Sequence, residues 1–172
     1  MKVSVIIPSL NPDNKLVAVV DALLEEGFKD IIIVNDGSDE EHMAPFNEVA
    51  AHSECTILTH EVNKGKGRGL KTAFEFCLEN RKDIDGVVTV DGDNQHRAKD
   101  IKKCSETMVS TGNVVLGVRD FTGDDVPARS KFGNNMTSGV FKVLCRLNIS
   151  DTQTGLRAVS YTHLTLPTNR EV

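Results

Sequence analysis

Short apolar runs rich in β-branched residues alternate along this chain with stretches of helical periodicity, and few folds accept that alternation. Residues 3–8, 31–34, 56–60, 87–90 and 114–118 read as strands. Between them, residues 15–26 place Leu16, Val19, Val20, Leu23 and Leu24 on one helical face, with Asp13 available as an N-cap and Gly27 as a stop. Residues 69–80 do the same with Leu70, Ala73, Phe74, Cys77 and Leu78, and residues 98–110 turn Ile101, Cys104 and Met108 inward. Residues 40–52 form a weaker helical pattern interrupted by Pro45, and residues 130–147 the longest one. Strands separated by helices must return in the same direction, so the expectation is a mostly parallel α/β sheet with helices on both faces.

A chain of 172 residues fits one domain with a substantial core. Its net charge of −5 excludes general nucleic-acid binding, which needs a basic surface to neutralise phosphates. No apolar run approaches the roughly 18 residues of a membrane span. The opening Met1-Lys2-Val3-Ser4-Val5-Ile6-Ile7-Pro8 does not read as a signal peptide, so folding is expected to begin in the cytosol. Cys55, Cys77, Cys104 and Cys145 are scattered without a C-x-x-C and read as core or half-buried thiols. The decapeptide from Val159 to Thr168 looks like a translated transposon-end sequencing adapter. The expectation is therefore a catalytic domain over residues 1–158, incomplete at its C-terminus, and an artefactual tail over 159–172.

Ligands of an open parallel sheet bind beyond the carboxyl ends of its strands, and three motifs fall there. Asp91-Gly92-Asp93 ends the fourth strand. Two carboxylates that close together repel unless a cation joins them, and hard oxygen ligands select Mg²⁺ or Mn²⁺ alongside substrate phosphates. Gln95 and His96 lie near enough to contribute. Asn63-Lys64-Gly65-Lys66-Gly67-Arg68-Gly69 follows the third strand and opens a helix, where amides and cations favour phosphate. It is neither G-x-x-x-x-G-K-[ST] nor G-x-G-x-x-G. Asp36, in Val34-Asn35-Asp36-Gly37-Ser38, can accept hydrogen bonds from ribose hydroxyls or a base N–H, or serve as a helix cap. Arg119, Arg129 and Arg157 can each clamp a phosphate or form a surface ion pair.

Together with Val3-Ser4-Val5-Ile6-Ile7-Pro8 and Gln153-Thr154-Gly155-Leu156-Arg157, these motifs resemble the family 2 glycosyltransferases of the GT-A, Rossmann-like fold. Within that family the chain looks most similar to the polyprenyl-phosphate sugar transferases. The resemblance implies inverting transfer from a nucleotide-diphospho-sugar of the UDP-glucose or GDP-mannose type to a polyprenyl or dolichyl phosphate at the membrane surface. It implies Mg²⁺ or Mn²⁺ as cofactor, held by Asp91, Asp93 and Gln95. Pro8, Asn11, Asp36, Lys66 and Asp91 would bind the nucleotide. Arg119 and Arg129 would hold the acceptor phosphate and donor diphosphate, and Asp151 and Arg157 the acceptor side, with Asp93 at the reacting centre. The resemblance places the full-length protein at the cytoplasmic face of the membrane. The alternatives are a nucleotide-sugar-binding domain without transferase activity and a transferase acting on a hydroxyl acceptor.

Overall fold

The computed structural model describes residues 1–118 and 154–165. Six strands form one sheet: β1 Val3–Ser9, β2 Ile31–Asp36, β3 Cys55–His60, β4 Gly86–Thr89, β5 Val115–Leu116 and β6 Arg157–Ser160. Their order is β3-β2-β1-β4-β6-β5. β1 pairs in parallel with β2 and β4, and β2 with β3, whereas β6 runs antiparallel to both β4 and β5. The sheet is mostly parallel, as the alternation predicts. β6 did not read as a strand in the sequence. Its four residues carry no distinctive pattern, and it forms because β4 and β5 offer it backbone partners on both sides.

Helices cover both faces. α1 Lys15–Glu25 buries Leu16, Val19, Val20 and Leu23 against Val5, Ile7, Ile31 and Ile33, each such side chain contributing about 1.5–3 kcal/mol. α4 Ala98–Thr111 adds Ile101 and Met108 to this side. α3 Lys66–Asn80 packs Ala73 and Cys77 on the opposite face, against Ile6, Ile32 and Val34. A short α5, Tyr161–Leu164, follows β6.

Two expected elements come out broken or markedly shorter. The pattern over 40–52 resolves into a 3-10 turn, Glu40–His42, and α2 Ala44–Val49, because Pro45 is tolerated in a first turn but not in a helix interior. The strand expected over 114–118 shortens to Val115–Leu116, with Val114 and Val118 exposed. The helix expected over 130–147 lies outside the described residues. Cys77 is a core thiol: burial, aided by the Asp30 charge, pushes it up to about 11, and Cys55 and Cys104 are half-buried. Cys145 lies outside the described residues.

Candidate active site

β2 ends on Asp36, and the turn after it packs on the backbone of a neighbouring loop. Gly37 has φ +74°, and a Cβ there would sit 2.3 Å from the Val62 carbonyl carbon. The absence of a side chain lets residues 62–65 close over Asp36, where the Lys64 N–H donates to Oδ1 at 2.9 Å. His60, in register with Asp36 on β3, places Nδ1 2.6 Å from the same oxygen. The other ring nitrogen lies 2.9 Å from Thr72 Oγ1 on α3. Asp36 is only 3% exposed. Burial pushes its carboxyl up, but the hydrogen bonds from His60 and the Lys64 amide, with the Gly65 amide close by, outweigh that and leave it below the ordinary value. The group is therefore an ionised acceptor at neutral pH.

The ends of β1 and β2 are clasped by Asn11. Its side chain donates to Asp39 Oδ2 and accepts from the Asp39 N–H, both at 2.9 Å, while its own N–H donates to Ser38 Oγ at 2.9 Å. Ser9 Oγ is buried beside them, with no partner among the described residues.

β4 extends by one hydrogen bond, Val90 N–H to Ile6 O at 2.9 Å, and then releases Asp91. The Lys66 ammonium pairs with Asp91 Oδ1. Gly155 lies against the other oxygen: a Cβ there would stand 2.2 Å from Asp91 Oδ2. Thr89 Oγ1 holds this approach by donating to Gly155 O at 2.9 Å. Asp93 is exposed and accepts the Gln95 N–H at 3.1 Å.

α3 starts at Lys66, a turn earlier than the glycine-rich stretch suggests. The Arg68 and Gly69 amides reach Gly65 O at 2.9 and 3.1 Å, so the loop's cations stand in the first helical turn. The amides of Lys66 and Gly67 precede any intrahelical acceptor and remain available to an anion.

Pro8, Asp36, Asn63, Lys66 and Asp91 line one cavity of about 360 Å³. Asn11 and Asp93 line an adjoining one of about 280 Å³ that shares Pro8, Ser9, Leu10 and Gly92. On the other side of Lys66, a cavity of about 430 Å³ is bounded by Leu70, Phe74, Gly155 and Arg157. Gln95 and His96 line a separate cavity beside Leu116 and Gly117. Arg119, Arg129 and Asp151 lie outside the described residues. His60, Thr72, Thr89 and Gly155 escaped the sequence reading as site residues; the one signal for His60 was its place at the end of a strand next to that of Asp36.

Among the described residues no three His, Cys, Asp or Glu side chains form a cluster. The donor set nevertheless fits a hard divalent cation: Asp91 already holds a positive group on Oδ1, Asp93 is a second hard oxygen donor, and such ions commonly complete their shell with substrate phosphates.

Residues 4–161 match Glycosyl transferase family 2. The chain belongs to this family. A UDP-N-acetylglucosamine–dolichyl-phosphate N-acetylglucosaminyltransferase of Methanococcus voltae is 29% identical over 90% of this family 2 chain and 68% of its own length. An uncharacterized protein of Methanocaldococcus jannaschii is 27% identical over 93% of the chain and 65% of its own length. The chain thus spans about two thirds of these relatives. The glucosyl-3-phosphoglycerate synthase of Mycobacterium tuberculosis, in complex with Mn²⁺, UDP and glucosyl-3-phosphoglycerate, superposes with a TM-score of 0.71 at 16% identity, over 92% of the chain and 56% of the synthase. The fold is accordingly GT-A, Rossmann-like.

Proposed function

We propose that this chain is the donor-binding, catalytic part of an inverting, metal-dependent glycosyltransferase that moves a sugar from a nucleotide-diphospho-sugar to a polyprenyl or dolichyl phosphate. One observation carries the reading: a buried ionised acceptor, a helix-start lysine and a strand-end carboxylate, Asp36, Lys66 and Asp91, line a single cavity. Asp36 suits the N–H or O–H groups of a nucleoside. Lys66 and the first amides of α3 suit its diphosphate. Asp91 and Asp93 would hold Mg²⁺ or Mn²⁺, which when bound offsets charge on the leaving diphosphate.

The neighbouring cavity suits the acceptor. Lys66 and Arg157 supply positive charge, and Leu70 and Phe74 an apolar wall, a combination that fits a phosphate on a hydrocarbon chain. A phosphate whose second pKa is about 6 is already largely ionised near neutral pH. Its oxygen forms the new bond to the anomeric carbon while the bond to the diphosphate breaks, and the nucleoside diphosphate leaves. No strong general base is needed; Asp151 takes that role only with a hydroxyl acceptor. The Methanococcus relative's name supports a dolichyl-phosphate acceptor and a UDP-linked donor, so UDP-N-acetylglucosamine joins UDP-glucose and GDP-mannose as donors to assay. In this reading the full-length protein works at the cytoplasmic face of the membrane.

The test is calorimetric titration with UDP and GDP in the presence of Mn²⁺, followed by transfer assays to polyprenyl phosphate. Folded protein that takes up neither nucleotide defeats the proposal. Asp151→Asn should remain substantially active on the phosphate acceptor; collapse to background with an intact fold argues for a hydroxyl acceptor. Uptake without turnover favours the second reading, a nucleotide-sugar-binding domain without transferase activity.

A further inference from the structure

We propose that His60, backed by Thr72, is a positioning residue for nucleoside recognition: it fixes one oxygen of Asp36 so that the other faces the donor's nucleoside. The inference rests on the reading that the Asp36–Lys66–Asp91 cavity takes a nucleoside diphosphate.

Proton bookkeeping sets the direction of the chain. An ionised carboxylate can only accept, so the 2.6 Å contact requires a proton on His60 Nδ1. In a neutral imidazole Nε2 is then an acceptor, and the Thr72 hydroxyl 2.9 Å away donates to it. The opposite tautomer would set two lone pairs against each other at the Asp36 contact. The Asp36 carboxylate therefore selects the tautomer, and the Thr72 hydroxyl holds the ring from behind. His60 is 8% exposed, so water does not compete freely for either nitrogen.

The consequence falls on Asp36. Its Oδ1 takes two donors, His60 Nδ1–H and the Lys64 amide at 2.9 Å. Among the described residues no hydrogen bond is made to Oδ2, the nearby Gly65 N–H donating to Asn63 Oδ1 at 2.9 Å, although Asp36 lines the cavity. A carboxylate held at one oxygen cannot swing about its side-chain torsion, so the free oxygen points one way before any ligand arrives. Such preorganisation raises affinity by removing an ordering cost. Thr72 lies on α3, the helix whose first turn carries Lys66. One rigid element thus sets both the nucleoside contact and the diphosphate contact, and with them the spacing between the two.

The experiment compares Mn²⁺-assisted binding of UDP, GDP and inorganic pyrophosphate by the intact chain and three variants. His60→Leu removes the donor to Asp36, His60→Asn restores a donor at the Nδ1 position, and Thr72→Val removes only the hydroxyl. His60→Leu should weaken the better-bound nucleotide by roughly tenfold, the scale of one hydrogen bond to a charged group. Thr72→Val should weaken it by a few-fold, and His60→Asn should stay near wild type. Pyrophosphate, which lacks a nucleoside, should bind all four proteins alike. Equal losses for nucleotide and pyrophosphate, or wild-type nucleotide affinity in a folded His60→Leu, overturn the inference. If circular dichroism shows that His60→Leu does not fold, Thr72→Val decides: nucleotide affinity equal to wild type overturns the proposal. A wild-type chain that takes up neither nucleotide overturns the functional reading beneath the inference, whereas nucleotide uptake by wild type without a selective loss in the variants overturns the inference alone.

Discussion

β2 carries an aspartate at each end, and the two are treated in opposite ways. Asp30, just before the strand, has both oxygens occupied: Ser4 Oγ donates to Oδ2 at 2.5 Å, and Arg81 Nε lies 3.1 Å from each oxygen. Arg81 is itself fixed, its guanidinium 5.1 Å over the Phe76 ring. Asp36, at the other end, has one oxygen bound twice and the other without a donor among the described residues. Asp91 beside it is paired with Lys66, a side chain that is 55% exposed. A cavity of about 430 Å³ lies against Asp30 and Arg81, larger than the 360 Å³ in front of Asp36. Cavity size therefore does not mark the site. What distinguishes the two ends is unfilled hydrogen-bonding capacity: the rear closes its charges with its own chain, and the front keeps some for a ligand.

The largest effect should follow from removing the front carboxylate. Asp91→Ala takes away the group paired with Lys66 and the inner candidate metal donor. Transfer should fall by about 10²–10³-fold, the usual loss when one preorganised electrostatic group is deleted. The melting temperature should hardly move, because the Asp30 pair at the rear is untouched. A variant that retains full turnover with Mn²⁺ would show that the two ends do not differ in the way described.

The converse change is Arg81→Met at the rear. Asp30 would keep only Ser4, and stability should drop by about 2–3 kcal/mol, less than for a fully buried pair. The discount follows from side-chain exposures of 30% for Arg81 and 24% for Asp30. Urea midpoints measure the loss, and UDP affinity should stay at the wild-type value. Weakened UDP binding in folded protein would mean that the rear pair also shapes the front.

Gly155→Ala probes how tightly the front is built. The new Cβ meets Asp91 Oδ2 at 2.2 Å, so the carboxylate or the segment carrying Gly155 must shift. Overpacking costs about 1–2 kcal/mol here, at the low end because the Asp91 side chain can swing aside. Mn²⁺-assisted UDP binding should weaken with it. Unchanged stability and binding together would contradict the close approach.

These contrasts were only partly legible in the chain. The apolar runs of β1 to β4 announce themselves because parallel strands are buried on both faces, and their ends came out within two residues of the observed ones. Asp36 and Asp91 were legible for the same reason, since a carboxylate at such a strand end meets whatever the crevice holds. β6 was not, because Arg157 to Ser160 owe their conformation to two neighbours distant in sequence. The start of α3 was misread because three glycines in a row of alternating cations argue for a loop, whereas the Arg68 and Gly69 amides bond back to Gly65 O and carry the helix to Lys66. His60 and Thr72 depend on the register of β3 against β2 and on which face α3 turns to the sheet; neither is written locally. Arg119, Arg129 and Asp151, legible as motif positions, lie outside the described residues.

The smallest effect concerns pH. Burial alone would raise the Asp36 carboxyl, yet the donors on Oδ1 bring it below the ordinary aspartate value of about 3.9. A group whose folded value is lowered contributes stability that is fully present above the unfolded value. That stability is lost as pH falls through the folded one. Between pH 5 and 8 Asp36 should therefore neither titrate nor change stability, and its loss should appear only below about pH 4. The side-chain carboxyl carbon of Asp36, followed by NMR, should show a midpoint under that of an unstructured peptide. A midpoint above it would mean that burial wins over the His60 and Lys64 hydrogen bonds. The front carboxyl would then become a donor in mild acid, and the contrast with the fully paired Asp30 would reverse its meaning: the open oxygen would mark a destabilised acid rather than a prepared acceptor.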